Sequence, residues 1–208
     1  MARTYISTIF TETTRELQRL DGSRDAYARM EAVGNGAEGP DEVGPRERDF
    51  IALRDSLYMA SVTAHGWPYI QHRGGPPGFF KCLDGNRFGF ADYRGNRQHV
   101  TEANILHDDR VALFLVDYPA RRRLKLIGNA RMVAARDAPD LAAQLQAPGY
   151  DALVERVCLI DIVGFDWNCP QHITPRYTHD QIAEAVAPLH AEIERLRSLL
   201  AGGGHTEA

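Results

Sequence analysis

The run Gly66-Trp67-Pro68-Tyr69-Ile70-Gln71-His72-Arg73-Gly74-Gly75, preceded by Ser56-Leu57-Tyr58-Met59-Ala60-Ser61-Val62-Thr63, decides the fold. The earlier stretch is rich in β-formers with partial alternation, and residues 64–68 carry turn chemistry. Residues 69–75 then read as the returning strand, so a hairpin is expected. Toward the C-terminus, residues 79–83, 87–91, 111–116 and 124–133 read as further strands, with turn residues Asp84-Gly85-Asn86 and a helix within residues 97–106. Short strands at this spacing favour a barrel or sandwich over a βαβ sheet, and the β core is expected from about residue 50 to 167.

Toward the N-terminus, residues 11–18 and 24–30 are helix-like pieces separated by Asp21-Gly22-Ser23, which suggests an arm. Residues 34–45 concentrate glycine and proline and mark a boundary, and residues 50–55 suggest a short helix. Beyond Pro175, the apolar residues Ile182, Val186, Leu189, Ile193, Leu196 and Leu200 alternate four and three apart, as on a helical seam. Pro188 predicts a kink or restart there, and the helix either packs on its own domain or makes a dimer contact. The expected division is an N-terminal helical arm and loop (1–48), a β-barrel (49–175), and a C-terminal helix and tail (176–208).

The 208 residues suffice for one sizeable core, and 44% hydrophobic with 25% charged residues is an ordinary globular mixture. Twenty-four Lys and Arg against 28 Asp and Glu give a net charge of -4, which argues against nucleic acid or anionic lipid as a partner. Cys82, Cys158 and Cys169 are isolated, so no disulfide framework is expected, and no stretch has the ~20 apolar residues of a membrane span. A cytoplasmic protein fits these features best. Residues 34–39 satisfy GxGxxG but lack the flanking strand and helix that dinucleotide binding requires. No hydrolase or zinc-protease motif is present, and Cys169 with His172 has no matching second pair, so no metal site is expected.

Three polar clusters interrupt apolar strands: Gln71-His72-Arg73, then Arg94-Gly95-Asn96-Arg97-Gln98, then Arg123 with Lys125. The second follows a strand, contains a glycine that permits unusual backbone angles, and opens a helix. Amides and the planar guanidinium of Arg97 would there converge on a phosphate.

The runs at residues 66–79, 90–98, 121–125 and 165–176 together resemble the pyridoxamine 5'-phosphate oxidase-like flavoproteins. The resemblance implies a mainly β fold, an FMN-binding split β-barrel of Greek-key type with flanking N- and C-terminal helices, and a homodimer with FMN at its interface. It implies that Gln71, His72 and Arg73 run along the flavin and ribityl chain. Arg94, Asn96, Arg97 and Gln98 fall on the phosphate-holding turn, although Gln98 is neutral where the family often has lysine. Arg123 falls where the oxidases commonly carry glutamine near the ring, Lys125 follows two residues on, and Trp167 matches an aromatic that covers the flavin. A cation near the ring would favour reduction, since a reduced flavin gains negative charge. The ending Cys169-Pro170-Gln171-His172-Ile173-Thr174-Pro175 departs from the arginine and histidine pattern that holds pyridoxine phosphate, which argues against vitamin B6 as substrate. The expected activity is an FMN-dependent oxidoreductase acting on a small organic substrate, with NADH or NADPH as electron donor. The alternatives are a non-catalytic flavin-binding or sensing protein and a haem-binding barrel, with deazaflavin F420 as a further partner.

Overall fold

The structure, a computed structural model, describes residues 3–32, 39–167 and 171–202. The chain divides into two units, Met1–Asp117 with Arg122–Pro170, and Tyr118–Arg121 with Gln171–Ala208.

In the first unit three helices, α1 (Arg3–Ile9), α2 (Glu12–Leu20) and α3 (Arg24–Ala32), precede α4 (Pro45–Ala52). There follow β1 (Ser56–Val62), β2 (Pro68–Gly74), β3 (Lys81–Asp84), β4 (Arg87–Tyr93), α5 (Val100–His107), β5 (Arg110–Asp117) and β6 (Arg122–Ala134). A 3-10 turn (Ala135–Asp137), α6 (Pro139–Leu145) and β7 (Val154–Trp167) complete it. The seven strands form one antiparallel sheet in the order β2-β1-β5-β6-β7-β4-β3, so the architecture is mainly β with flanking helices.

The expected hairpin is present, with Ser56 opposite Gly74 and Val62 opposite Pro68. Alternation then assigns the faces. Leu57 and Met59 of β1, Leu113 and Leu115 of β5, Leu124 and Leu126 of β6, and Cys158 and Ile160 of β7 are buried on one face. With Phe80, Phe88 and Phe90 they form a continuous core. Burying a side chain of this size contributes about 1.5–3 kcal/mol relative to exposure, which makes the inward face the main source of stability. No ladder joins β2 to β3 or β4 among the described residues. Yet Arg73 on edge strand β2 reaches Asp92 on β4 at 3.0 Å, so the sheet curls until its two ends meet across an unladdered split. This is the split β-barrel.

Strand β7 and helix α1 are among the elements that go beyond the expectations from sequence, as is α6. No individual strand is expected after residue 133, yet β7, with 14 residues, is the longest and lies between β6 and β4. Helix α1 is rich in β-branched residues and has no local helical signature. It is set by tertiary contacts, for the Asp41 carboxylate accepts from the Thr4, Tyr5 and Phe165 N–H groups at 2.8, 3.0 and 3.2 Å. That satisfies two first-turn amides of α1 and ties the helix to β7. Gly164 permits the approach, since a Cβ there would lie 2.6 Å from the Tyr5 nitrogen.

In the second unit α7 (His179–Gly202) continues through Pro188 as one helix without a restart, where a kink or restart was expected. Proline removes one intrahelical hydrogen bond, and Pro188 is exposed, so no packed neighbour is displaced. The Arg176 guanidinium stacks 4.8 Å from the Tyr118 ring. No described helix is long and apolar enough to cross a membrane. The GxGxxG run at residues 34–39 and Cys169 fall on or overlap segments outside the described residues.

Burial in the core pushes the Cys158 thiol up to about 12 from an ordinary 9.0. The fold therefore favours the protonated thiol. Its contribution is complete below about pH 9 and is lost as pH rises toward the folded value. In urea denaturation the stability difference between wild type and Cys158→Ala should be flat from neutral pH to about pH 8.5, then narrow with further alkali. A difference that stays constant through pH 11 would show that the thiol is not buried in this way.

Candidate functional site

At one end the barrel interior turns polar. Tyr69, Gln71 and Arg73 lie on the inward face of β2, because they stand opposite the inward-facing Ser61, Met59 and Leu57 of β1. Asp92 and Arg156 stand opposite each other on β4 and β7. Between them opens a cleft lined also by Gly95, Asn96, Arg97, Gln98, the first turn of α5 and Met132. The cleft is open to solvent on one side, and its inner space of about 70 Å³ would hold roughly five waters, enough for a phosphate group.

Its electrostatics rest on Asp92, which is 7% exposed. One carboxylate oxygen accepts from Arg73 at 3.0 Å, and the other accepts from Arg156 Nε and Nη2 at 2.9 and 2.7 Å. Charge-assisted bonds of this kind are about twice as strong as neutral ones and fix both guanidiniums. Arg73 Nε and Thr101 Oγ1 are nevertheless buried without a hydrogen-bond partner. Two orphaned polar atoms at one cleft are costly unless a ligand or solvent meets them.

The turn between β4 and α5 is organised by Glu155 of β7. Its carboxylate accepts from Arg94 at 2.8 Å and from Arg97 at 2.6 Å. These two guanidiniums hold the Glu155 carboxyl down to about 2, so it stays charged from mild acid through neutral pH. Gly95 is not the residue with unusual backbone angles. Arg97 and His99 adopt left-handed φ values of 57° and 55°, which is uncommon for residues with a side chain. Such strain persists only where the surroundings enforce it, and it concentrates at ligand sites. His99 caps α5 without a side-chain bond to its first-turn amides, its Nδ1 pairing instead with the Glu102 carboxylate at 2.7 Å, and that turn lines the cleft.

The structure thus brings together Gln71, Arg73, Asn96, Arg97 and Gln98, while Arg94 braces the turn through Glu155. The other candidates stand elsewhere. His72 points to the outer face of β2, with its ring 5.7 Å from that of Tyr58. Lys125 lies on the outer face of β6, bonded to Asp166 at 2.6 Å and 5.3 Å from the Tyr5 ring, and Arg123 shares that face. Trp167 donates to Glu47 at 2.7 Å and stacks edge-on with Phe50. Sequence reasoning did not single out Arg156, Glu155, Asp92 or Thr101. Glu155 and Arg156 stand at the polar start of β7, ahead of its apolar run from Val157 to Ile160, so no interruption of an apolar strand marked them.

A curled antiparallel sheet with an arginine-lined cleft at its split defines a split barrel. Residues 44–156, more than half of the chain, match the model of the pyridoxamine 5'-phosphate oxidase family, and the chain belongs to that family. No curated protein sequence matches it. Solved structures with a similar fold include HupZ of group A Streptococcus, with TM-score 0.48, 19% identity, and coverage of 64% of this chain and 98% of that one. They also include a putative pyridoxamine 5'-phosphate oxidase of Lactobacillus delbrueckii, with TM-score 0.45, 17% identity and coverage of 60% and 93%. HutZ, the heme storage protein of Vibrio cholerae, has TM-score 0.40, 14% identity and coverage of 61% and 94%.

Replacing Asp92 by Asn removes the countercharge of two guanidiniums that are each only about one-fifth exposed. A fully buried pair broken in this way costs 3–5 kcal/mol, and the residual exposure reduces this to about 2–3 kcal/mol. Chemical denaturation should show that loss. A change within about 0.5 kcal/mol would mean that Asp92 does not hold the split together.

Proposed function

We propose that the protein is an FMN-binding flavoprotein, an oxidoreductase acting on a small organic substrate. The observation that carries this reading is the cleft itself. It gathers Arg73, Arg97 and Arg156 around an anion-sized space and leaves a buried guanidinium nitrogen and a buried hydroxyl unpartnered there. The donor set fits a phosphate group. Arg73, Arg97 and Thr101 would hold it, and Arg156 would hold Arg73 in place through Asp92. Tyr69, whose hydroxyl donates to Gln71 Oε1, and Gln71 would line the path of the ribityl chain along β2. Bound FMN would supply reversible acceptance of a hydride or of two electrons, with NADH or NADPH as the donor class. The protein would orient the cofactor, exclude water from it and tune its charge.

The outer sheet face supports a homodimer. Tyr58, Ala60 and Val62 of β1, Ile70 of β2, Ala112 and Phe114 of β5 and Ile127 of β6 make it largely apolar, and Tyr58, Val62 and Ile70 are exposed. Patches of this kind mark interaction surfaces. Arg123 and Lys125 stand on that face, outside their own chain's cleft. They would reach a ring-sized ligand only from a second subunit.

An absorbance spectrum of the purified protein, with identification of what heat releases, tests the cofactor. Twin flavin bands and released FMN are expected, and a protein that stays colourless and takes up no added FMN would sink the reading. A Soret band on haem addition would move it to a haem protein. Stoichiometric FMN that neither NADH nor NADPH reduces would favour a non-catalytic flavin binder. Arg97→Ala removes a charge-assisted contact from an exposed turn, so FMN affinity should fall about 10- to 100-fold with the thermal melt unchanged. Unaltered affinity would remove the phosphate assignment.

A further inference from the structure

Helix α7 belongs to the second unit and carries an apolar stripe of its own. Ile182, Val186, Leu189, Ile193, Leu196 and Leu200 lie four, three, four, three and four residues apart, which aligns them on one seam. Ile182 is 51% exposed, Leu189 63%, Ile193 44%, Leu196 46% and Leu200 80%. Helices in proteins draw most of their stability from packing an amphipathic face. Here 24 residues carry such a face, and within its own unit five of the six seam residues stand exposed and Val186 partly so.

We propose that α7 pairs with α7 of a second copy of this chain as a parallel, two-stranded coiled coil. The seam assigns Val186, Ile193 and Leu200 to heptad position a, and Ile182, Leu189 and Leu196 to d. Its central layers therefore put β-branched residues at a and leucine at d, the combination that favours two parallel strands. Pro188 falls at c, away from the seam.

Charge selects the same partner and the same direction. Glu192 occupies g, and Arg197 occupies e of the next heptad. A parallel in-register pair sets Glu192 of each copy against Arg197 of the other, which makes two attractive contacts. An antiparallel pair about the same seam sets Glu192 beside Glu192, which repels. Within one chain Glu192 bonds Arg195 at 2.7 Å and Glu194 bonds Arg197 at 2.8 Å. These are exposed pairs worth little, so exchanging them costs little. The seam is short of three full heptads, so it would act together with any other contact between two copies. It does not depend on the flavin.

The test uses the full-length chain with Cys82 and Cys169 replaced by serine and Cys158 kept in the core. Leu196→Cys places a thiol at d, and Ser198→Cys places one at f, on the opposite side. Under mild copper-phenanthroline oxidation, the Leu196→Cys chain should cross-link to itself and the Ser198→Cys chain should not. Adding Ile193→Asp should reduce the Leu196→Cys cross-link by about tenfold or more, because a carboxylate enters the seam. Equal cross-linking at the two positions overturns the proposal, and so does none at either, the result expected if α7 folds back on its own chain. Cross-linking of a Val186→Cys chain to a Leu196→Cys chain, without self-linking of the latter, shows antiparallel pairing and overturns it as well.

Discussion

The structure depends most on one carboxylate. Asp92 of β4 links Arg73 of edge strand β2 to Arg156 of β7, and so joins one edge of the sheet to strands near its other edge where no backbone ladder does. An open antiparallel sheet of seven strands has two edges to protect. Here the ends are drawn together by ion pairs at a polar pole, while Leu57, Leu115, Leu124 and Phe88 fill the space behind it. The closure and the cleft are one feature. Ladder hydrogen bonds between β2 and β4 would satisfy the edge, but they would leave no room for a ligand between the strands.

The same economy explains the turn. Arg97 and His99 adopt backbone angles that cost side-chain-bearing residues energy, and Glu155 offsets that cost by engaging Arg94 and Arg97 together. Since Glu155 keeps its charge to about pH 2, the bracing is insensitive to pH across the physiological range. The side chains that set the turn's shape come from β7, far along the sequence. A local reading sees Arg-Gly-Asn-Arg as a flexible turn, whereas the fold makes it a fixed one.

What could be read from sequence divides along the same line. The β1–β2 hairpin is local, its turn and alternation are written in adjacent residues, and both strands fall within a residue of the expected bounds. Strand β7 packs one face on the main core and the other on α6, so its middle is a continuous apolar run from Val157 to Ile160 with no alternation to mark it. Helix α1 takes its first-turn partner from Asp41, 36 residues from Tyr5. Among the candidate site residues, Gln71, Arg73 and Asn96 to Gln98 could be found because each sits in a polar interruption of an apolar strand or its following turn. Arg156 could not be weighed in that way, because its value lies in a partner 64 residues away.

Parity along the strands sharpens what such a cluster means. In Gln71-His72-Arg73, residues 71 and 73 face the cleft and 72 faces outward, as the two-residue period of a strand requires. In Arg123-Leu124-Lys125 the order is reversed, for Leu124 is fully buried and the two cations lie outside. One chain cannot aim all of these groups at one ligand. If both sets serve one cofactor, the outward set must act on a neighbouring copy's cleft, and the apolar face around Lys125 is where that copy would sit. On that proposal assembly would be a condition for a complete site, and loss of pairing and loss of a ring-side cation would weaken cofactor binding by the same route.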